Sequence, residues 1–345
     1  MYNLDRKETN LFLANEEKEF IIETLKDIPS ERLGIGQGKG HFGEYLQGYF
    51  DDINGDIIDR ACVAVPLVSH IDQRNQLAGD GEYYKIPYAA SGSIAVFFPI
   101  ENEEIAVEPN DKFLSKQAAQ TTLKMLDKPN WGGLLKIITR GKTSMGLGTS
   151  TSDIVATIRA VSESFGAKLD NDVIAKTTVG IESASDGIMY DHATLFVTTQ
   201  GNILEKYRIN YPEIEILGFN SNHHERGLNT LDIPPRKYND EEKKHLWELR
   251  KNINGALNNK DINQLGQISS ASAKINQRFV EKPYLEEIVK LATDNSAPGV
   301  VIAHSGTMVG IIFDPRKMPK PDKLSRIFEG LESIGYTNLK RYISK

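Results

Sequence analysis

The chain has 345 residues, of which 39% are hydrophobic and 26% are charged, so it carries enough apolar material for a packed core and too much for a disordered chain. Its net charge of −6 argues against a general binder of nucleic acid, which requires a basic surface. The single cysteine, Cys62, excludes an intrachain disulfide and a cysteine-rich zinc site. No run approaches about 18 apolar residues, and residues 1–15 carry charges where a secretory signal would be apolar, so we expect a soluble cytoplasmic protein that does not bind membranes.

The first part of the chain predicts a mixture of helices and strands. Apolar residues at helical spacing predict a helix within residues 1–30, ended by Pro29. Residues 44–50, followed by Asp and Asn residues and a glycine, predict a strand that enters a turn. The other elements expected before residue 200 are strands at 61–68, 94–100, 133–139 and 194–199, and helices at 112–126, 151–165 and 174–181.

The second part is richer in helices. Its expected strands are 203–207, 214–218, 299–304 and 308–313, and its expected helices are 240–257, 262–273, 283–294 and 321–334. Because strands and helices mix without a regular βαβα alternation, the sequence favours the α+β class. At roughly 150 residues per domain, the length predicts two domains. We expect one domain at residues 1–210 and the other at 211–345, because the predicted elements become richer in helices near residues 200–220.

Two glycine patterns match nucleotide-binding motifs only in part. Residues 38–43, GKGHFG, fit G-x-G-x-x-G, but the following segment predicts strand, turn and strand where a dinucleotide fold needs a helix. A dinucleotide oxidoreductase is therefore a weak alternative, which a titration with NADH would test. Residues 141–143, GKT, resemble the end of a P-loop, but Lys136 stands where that motif requires a glycine.

A stronger signal is the segment 142–153, KTSMGLGTSTSD, between a predicted strand and a predicted helix. A helix N-terminus presents free N–H groups and a partial positive charge, and glycines before it allow a phosphate to approach the backbone. Four consecutive hydroxyl residues, 149–152, exceed what one helix cap requires, and they can donate to phosphate or ligate Mg²⁺. The segment therefore predicts a phosphate-binding site.

Three ordered segments resemble the motifs of the GHMP kinases. GEYLQG at 43–48 is similar to the first motif and VAVPLVS at 63–69 to the strand after it. GLGTS at 146–150 is similar to the second motif, P-x-x-x-G-L-G-S-S-A, and AHSGTMVG at 303–310 to the third. Lys142 replaces the usual proline, and Thr149 replaces the first serine.

Within that family the chain most resembles the L-threonine kinases of cobalamin assembly, which share the form G-E-x-x-Q-G, a hydroxyl-rich helix start that ends in Asp, and A-H-S-G. The expected N-terminal helix and residues 37–41 depart from that subgroup. The resemblance implies a two-domain α+β fold, with an ATP-binding N-terminal domain like domain 2 of ribosomal protein S5 and a ferredoxin-like C-terminal domain. ATP and Mg²⁺ are the cofactors it implies.

The resemblance also implies a set of site residues. Those expected to bind ATP are Lys142, Ser144, Met145, Gly146, Leu147, Gly148, Thr149, Ser150, Thr151 and Ser152. Ser150 and Glu182 are expected to ligate Mg²⁺. Those expected on the acceptor side are Glu44, which has a structural role as an alternative, and His304, Ser305 and Gly306.

A general base is the least determined of these roles. Residues 181–187, IESASDG, resemble the E-P-T-D of the subgroup, and this makes Asp186 the expected base. Asp191 is the alternative, and a mechanism without a carboxylate base, as in the homoserine kinases, is left open. Lys39 lies one position away from the lysine that many members carry, so a solvated loop lysine is the simpler interpretation.

These features together predict a kinase that phosphorylates a small-molecule hydroxyl group, foremost the side chain of L-threonine to give O-phospho-L-threonine and ADP. The alternatives are a GHMP kinase for another small alcohol or hydroxy amino acid in a secondary pathway, and a nucleotide-binding homologue without catalysis. A homodimer is left open.

Overall fold

A computed structural model describes residues 33–51, 57–68, 82–141, 145–207, 209–222, 237–303 and 305–345. The helix expected within residues 1–30 lies outside these ranges, as do Lys142, Ser144 and His304. None of the described helices is both long enough and apolar enough to cross a membrane.

The first layer is a four-stranded sheet in the order β1-β4-β6-β5. Its strands are β1 (Gly34–Gly38), β4 (Gly92–Ile100), β5 (Ile105–Glu108) and β6 (Gly132–Arg140). Strand β4 pairs antiparallel with β1 and β6, and β5 pairs parallel with β6. Helices α2 (Phe113–Met125) and α3 (Thr149–Ser164) contact this sheet, and α4 (Asn171–Glu182) packs on both. The short helix α1 (Glu82–Lys85) precedes β4 in the chain.

Glycines of β1 set how closely α3 approaches the sheet. A Cβ atom on Gly36 would lie 2.0 Å from the carbonyl oxygen of Ala156, and one on Gly38 would lie 2.0 Å from that of Ser152. The Ser152 hydroxyl donates to the Gly38 carbonyl at 2.8 Å. The glycines of β1, which include Gly38 of the pattern that resembles a dinucleotide motif, therefore form a docking face for α3. A strand that begins at His41, and not a helix, follows Gly38, as the sequence predicts.

The second layer is an eight-stranded sheet in the order β12-β9-β11-β10-β2-β3-β7-β8. The strands are β2 (His41–Asp51), β3 (Ile57–Pro66), β7 (Thr194–Val197), β8 (Asn202–Lys206), β9 (Ile214–Asn220), β10 (Gly299–Ile302), β11 (Met308–Phe313) and β12 (Lys340–Ser344). All their pairings are antiparallel, and the pairing of Ile302 with Glu44 joins β10 to β2. The sheet thus contains strands from both sides of residue 210.

Apolar side chains on opposite faces of this sheet form two cores. On β10, Val301 belongs to one core, while Val300 and Ile302 belong to the other. Helices α5 (Asp240–Asn258) and α6 (Ile262–Asn276) cover the first face. Helices α7 (Leu285–Asp294) and α8 (Pro321–Ser333) cover the second face. The alternation of apolar residues along the strands produces both cores, because successive side chains point to opposite faces.

The expected α+β class is confirmed, and most expected elements occur within a few residues of their predicted bounds. Helix α3 begins at Thr149, two residues before the predicted start at 151, so Thr149 and Ser150 lie in its first turn. Four short elements, α1, β1, β5 and β12, were not predicted from the sequence. Of these, β1 (GIGQG) is three-fifths glycine, which conceals a strand because glycine has low strand propensity.

Candidate active site

The start of α3 has no cap from the side chain of its N-cap residue. That residue is Gly148, in the left-handed conformation with φ 65° and ψ 27°. By helical geometry the first-turn N–H groups have no partner within the helix, and they carry a partial positive charge. The loop before it, residues 145–148, also contains Gly146 with φ 85°. We call these four residues the glycine loop. An uncapped N-terminus of this kind can bind an anionic group such as a phosphate.

His41 packs directly beneath the glycine loop. A Cβ atom on Gly148 would lie 2.2 Å from His41 Cδ2, so no larger residue fits there. The His41 backbone N–H donates to the Leu147 carbonyl at 3.2 Å. His41 begins β2, the strand that carries the expected first motif, and this contact holds the loop against that strand.

The expected third motif closes over the same loop. A Cβ atom on Gly306 would lie 2.1 Å from the Met145 carbonyl oxygen, so glycine is required for this approach. The N–H groups of Thr307 and Met308 both donate to that oxygen, at 3.0 and 3.2 Å. The glycine loop and the expected third motif, about 160 residues apart in sequence, are therefore in contact. Two segments that belong to one site must lie close together in this way. Ser305 lies beside this contact and is half-buried.

Asp186 lies in the loop after α4 and contacts His41. Its Oδ2 lies 3.0 Å from His41 Nε2, and its Oδ1 accepts from Cys62 Sγ at 3.3 Å. Burial on its own would raise the pKa of Asp186, but the charge and hydrogen bond of His41 lower it below its usual value. The Asp186 side chain keeps 20% exposure.

The GHMP kinase family models match two separate parts of the chain. The model described as the GHMP kinases N terminal domain matches residues 114–197, and the model described as GHMP kinases C terminal matches residues 253–336. The chain belongs to the GHMP kinases. These are phosphotransferases that act on hydroxyl groups, with ATP as the phosphate donor.

Two L-threonine kinases are similar to this GHMP kinase in sequence. The one from Salmonella typhimurium is 24% identical over 212 residues, which cover 60% of this chain and 70% of that protein. The one from Citrobacter freundii is 25% identical over 169 residues, covering 49% of this chain and 58% of that protein.

Solved structures of other GHMP kinases share the fold. Homoserine kinase from Cytophaga hutchinsonii aligns with a TM-score of 0.63 at 11% identity, over 92% of this chain and 96% of that one. The L. major mevalonate kinase aligns with a TM-score of 0.59 at 15% identity, over 92% and 98%. At such identities the likeness extends to the fold alone.

Glu182, the last residue of α4, lies against the first turn of α3 in this GHMP kinase. Thr151 Oγ1 donates to Glu182 Oε1 at 2.5 Å. Burial raises the pKa of Glu182 to about 7, although donating hydroxyl groups act in the opposite direction. These hydroxyls belong to Thr151, Ser150 and Ser185. The resulting cluster of hydroxyl and carboxylate oxygens suits Mg²⁺, which prefers oxygen ligands.

Glu44 is buried at the junction of β2 with β10 and is only 3% exposed. His41, Glu44 and Asp186 each place one ligand-capable atom within 4.8 Å of the others. A nitrogen ligand is unfavourable for Mg²⁺, and His41 Nε2 lies at hydrogen-bond distance from Asp186. The group is therefore better described as an ion pair with a neighbouring carboxylate than as a magnesium site.

Lys39 and Asp191 form a separate pair at the surface. Lys39 Nζ lies 3.0 Å from Asp191 Oδ1, and the Asp191 side chain is 86% exposed. Asp191 therefore differs from Asp186 in its surroundings, because Asp186 contacts the residue beneath the glycine loop and Asp191 contacts a loop lysine.

Two residues that contact Asp186, His41 and Cys62, were not predicted to belong to the site. Their partner is more than 100 residues away, so no local pattern marks them. No role was predicted for Asp153 either, and it accepts from Lys112 Nζ at 2.8 Å and from the hydroxyl of Thr139 at 2.7 Å. A serine hydroxyl, that of Ser93, donates to it as well.

Proposed function

We propose that this GHMP kinase transfers the γ-phosphoryl group of ATP to the side-chain hydroxyl of L-threonine, which gives O-phospho-L-threonine and ADP. The choice of acceptor rests on the similarity to two L-threonine kinases and on the motifs that the chain shares with that subgroup. The same similarity supports the further proposal that the product serves cobalamin assembly in the cytoplasm.

One observation carries the assignment of the chemistry. His41 contacts both Gly148, at the start of α3, and the carboxylate of Asp186. A phosphate group at the helix start and this carboxylate would therefore be separated by about one side chain. Phosphoryl transfer mainly requires that donor and acceptor be positioned and that charge be neutralised. The arrangement supports a site in which both requirements are met.

In this proposal the first-turn amides of α3 and the hydroxyls of Thr149 and Ser150 bind the phosphate groups. The Ser152 hydroxyl, which was expected to do so, donates instead to the Gly38 carbonyl, and the Thr151 hydroxyl donates to Glu182. The described part of the loop, Met145 to Gly148, contributes backbone and space, and Lys142 and Ser144 keep the roles expected for them. Asp186 accepts the proton of the threonine hydroxyl as the hydroxyl oxygen attacks the γ-phosphorus. The bond from the γ-phosphorus to the oxygen that bridges it to the β-phosphate breaks, and ADP leaves with the electron pair of that bond on this oxygen.

Ser150 and Glu182 would hold Mg²⁺, which neutralises charge on the triphosphate when bound. The fit rests on an oxygen-only donor set, in which the exposed Ser150 hydroxyl lies close enough to donate to the Glu182 carboxylate. In the same proposal the acceptor side is formed by His304, Ser305 and Gly306 of the third motif. Glu44 supports it from the interior, in keeping with its burial.

A panel of acceptors in an ADP-release assay with Mg–ATP tests the proposal. The panel contains L-threonine, L-serine, L-homoserine and mevalonate, and the phosphorylated product is identified by ³¹P NMR and mass spectrometry. We expect L-threonine to have the highest kcat/KM and its product to be O-phospho-L-threonine. A higher kcat/KM for another alcohol would replace threonine but keep the kinase. Binding of ATP with no turnover on any acceptor would contradict the proposed catalysis.

A further inference from the structure

The two ring nitrogens of His41 both face hydrogen-bond acceptors. Nδ1 lies 3.3 Å from the carbonyl oxygen of Gly43, which can only accept a hydrogen bond. Nε2 lies 3.0 Å from Asp186 Oδ2, and the other oxygen of that carboxylate already accepts from Cys62. A ring between two acceptors satisfies both only if both nitrogens carry a proton. The pattern of partners therefore corresponds to an imidazolium cation.

The same ring limits where the glycine loop can lie. The virtual Cβ of Gly148 would be 2.2 Å from His41 Cδ2 and 2.7 Å from Nε2, so the loop backbone rests on the edge of the ring. The backbone N–H of His41 also bonds to Leu147. One residue therefore contacts the loop before α3 and the proposed base, and a change in its side chain would affect their separation.

We propose that His41 is a positioning residue for phosphoryl transfer: its imidazolium holds Asp186 as an oriented carboxylate, and its ring supports Gly148 at a fixed distance from that carboxylate. This inference rests on the proposed function, because it assigns to Asp186 the role of base. His41 itself donates no proton to the substrate and accepts none in this scheme.

The charges around His41 favour the cation. Glu44 faces it from its own strand and Asp186 from the loop after α4, while Arg60 and Cys62 lie on β3 beside Asp186. Burial lowers the pKa of His41, but the attraction and hydrogen bond of Asp186, with the charge of Glu44, raise it to about 9. The ring is therefore cationic throughout the neutral range, and its charge is desolvated because the side chain is only 4% exposed.

The geometry also gives a reason for histidine at this position. An imidazolium ring carries two N–H donors in the plane of a rigid ring, directed away from each other. One donor is anchored on Gly43 and the other is directed at Asp186. A lysine would supply the charge on a flexible stem without the second anchor. The described contacts therefore favour a role in orientation as well as in charge.

The kinetic test compares His41→Gln with His245→Gln, a matched substitution on the exposed surface of α5. Glutamine can still donate to Asp186 but carries no charge. We expect kcat with the best acceptor to fall by about 10- to 100-fold, with the KM for Mg–ATP changed by less than about threefold. The acid limb of kcat/KM should move to higher pH, because the buried carboxylate loses its cationic partner.

If His41 had only a structural role, its substitution would lower the rate by the same factor at every pH, and the pH dependence of kcat/KM would stay as in the wild type. An unchanged acid limb, or a loss confined to the KM for Mg–ATP, would therefore overturn the inference. The His245→Gln enzyme should retain the wild-type profile. Circular dichroism and thermal unfolding of both variants establish whether each is folded before the kinetics are compared.

A second measurement does not depend on turnover or on the folding of a His41 variant. The ¹⁵N shifts of the His41 ring at neutral pH report how many of its nitrogens carry protons. We expect both to be protonated in the wild-type protein and one to be deprotonated in Asp186→Asn, where burial is no longer opposed by the carboxylate. A neutral His41 ring in the wild-type protein would overturn the inference even if threonine is phosphorylated. Protonated nitrogens in an enzyme without turnover would instead count against the proposed function alone.

Discussion

Lys112 and Asp153 form a buried ion pair that joins the start of α2 to the first half of α3. Lys112 Nζ lies 2.8 Å from Asp153 Oδ2, and the side chains are 16% and 7% exposed. The Thr139 hydroxyl donates to the other carboxylate oxygen at 2.7 Å, so the pair is also tied to β6. These contacts fix the orientation of the helix whose N-terminus forms the phosphate site, because Asp153 is only one turn from that end.

We expect Asp153→Asn to destabilise the protein by about 3–5 kcal/mol, because it leaves the Lys112 ammonium buried without a countercharge. Urea unfolding measures this change. The matched control is Asp294→Asn, which removes an exposed pair with Lys290 and should change the free energy of unfolding by at most about 0.5 kcal/mol. If both substitutions changed the free energy of unfolding equally, the buried pair would contribute no more to stability than the exposed pair.

The contact between Gly148 and His41 predicts a loss of nucleotide affinity in Gly148→Ala. The added Cβ meets the ring at 2.2 Å, and the residue has φ 65°, which an alanine adopts at a cost of about 1–2 kcal/mol. The loop must shift, so we expect the KM for Mg–ATP to rise by about 10-fold or more. Isothermal titration with an ATP analogue provides the same comparison without turnover.

Gly255→Ala is the control for that substitution, because nothing lies within 4 Å of its virtual Cβ. It lies in α5, where alanine has the higher helix propensity, so stability should rise by about 0.5–1 kcal/mol with nucleotide affinity unchanged. Wild-type affinity in Gly148→Ala would be incompatible with a phosphate bound at this helix start.

The two candidate bases can be separated by substitution of each. Asp186→Asn removes a carboxylate in contact with the residue beneath the glycine loop, and we expect kcat to fall by about 10²- to 10⁴-fold. Asp191→Asn removes one partner of an exposed pair with Lys39, so kcat should stay within about twofold. Single-turnover kinetics measure the chemical step directly. A full rate in Asp186→Asn would favour a mechanism without a carboxylate base.

The proposed magnesium ligands lead to a further prediction. Glu182→Gln retains the size of the side chain and its contact with Thr151 but removes the charge, so about 10-fold more Mg²⁺ should be needed for half-maximal activity. Titration of activity with MgCl₂ at fixed ATP measures this shift. Glu286→Gln, at an exposed ion pair with Lys274, should leave the Mg²⁺ dependence unchanged. If both variants needed the same Mg²⁺ concentration for half-maximal activity, Glu182 would not be a magnesium ligand.

Local patterns were enough to predict the α+β class and the helix that follows the glycine loop, because apolar periodicity and glycine-hydroxyl runs depend only on neighbouring residues. They were not enough to predict β1. Its glycines allow α3 to pack close to the sheet, but they lack the alternation of apolar side chains by which a strand is recognised. The partners of Asp186 were missed for a similar reason. Cys62 and His41 meet it only through the pairing of β2 with β3 and the fold of the later loop, which no short segment encodes.

The His41–Asp186 pair predicts a specific dependence of stability on pH. The pKa of His41 is raised to about 9 by Asp186 and Glu44 in spite of burial, which lowers it. In the unfolded chain it is about 6.5. A group whose pKa rises on folding stabilises the protein fully below its unfolded value, and this stabilisation is lost as pH rises through the folded value. The pair should therefore contribute about 3 kcal/mol near pH 6 that disappears toward pH 10.

Asp186 sets the acid side of this window. Its pKa is lowered by His41, so its contribution is present above the unfolded value of about 3.9 and is lost as pH falls through the folded value. Urea unfolding of the wild-type protein and of His41→Gln should therefore differ most between about pH 5 and pH 7 and converge above about pH 9. His245→Gln should follow the wild type at every pH. A difference between His41→Gln and the wild type that stays constant up to about pH 10 would mean that the ring is held by packing alone, because loss of its charge would then cost nothing.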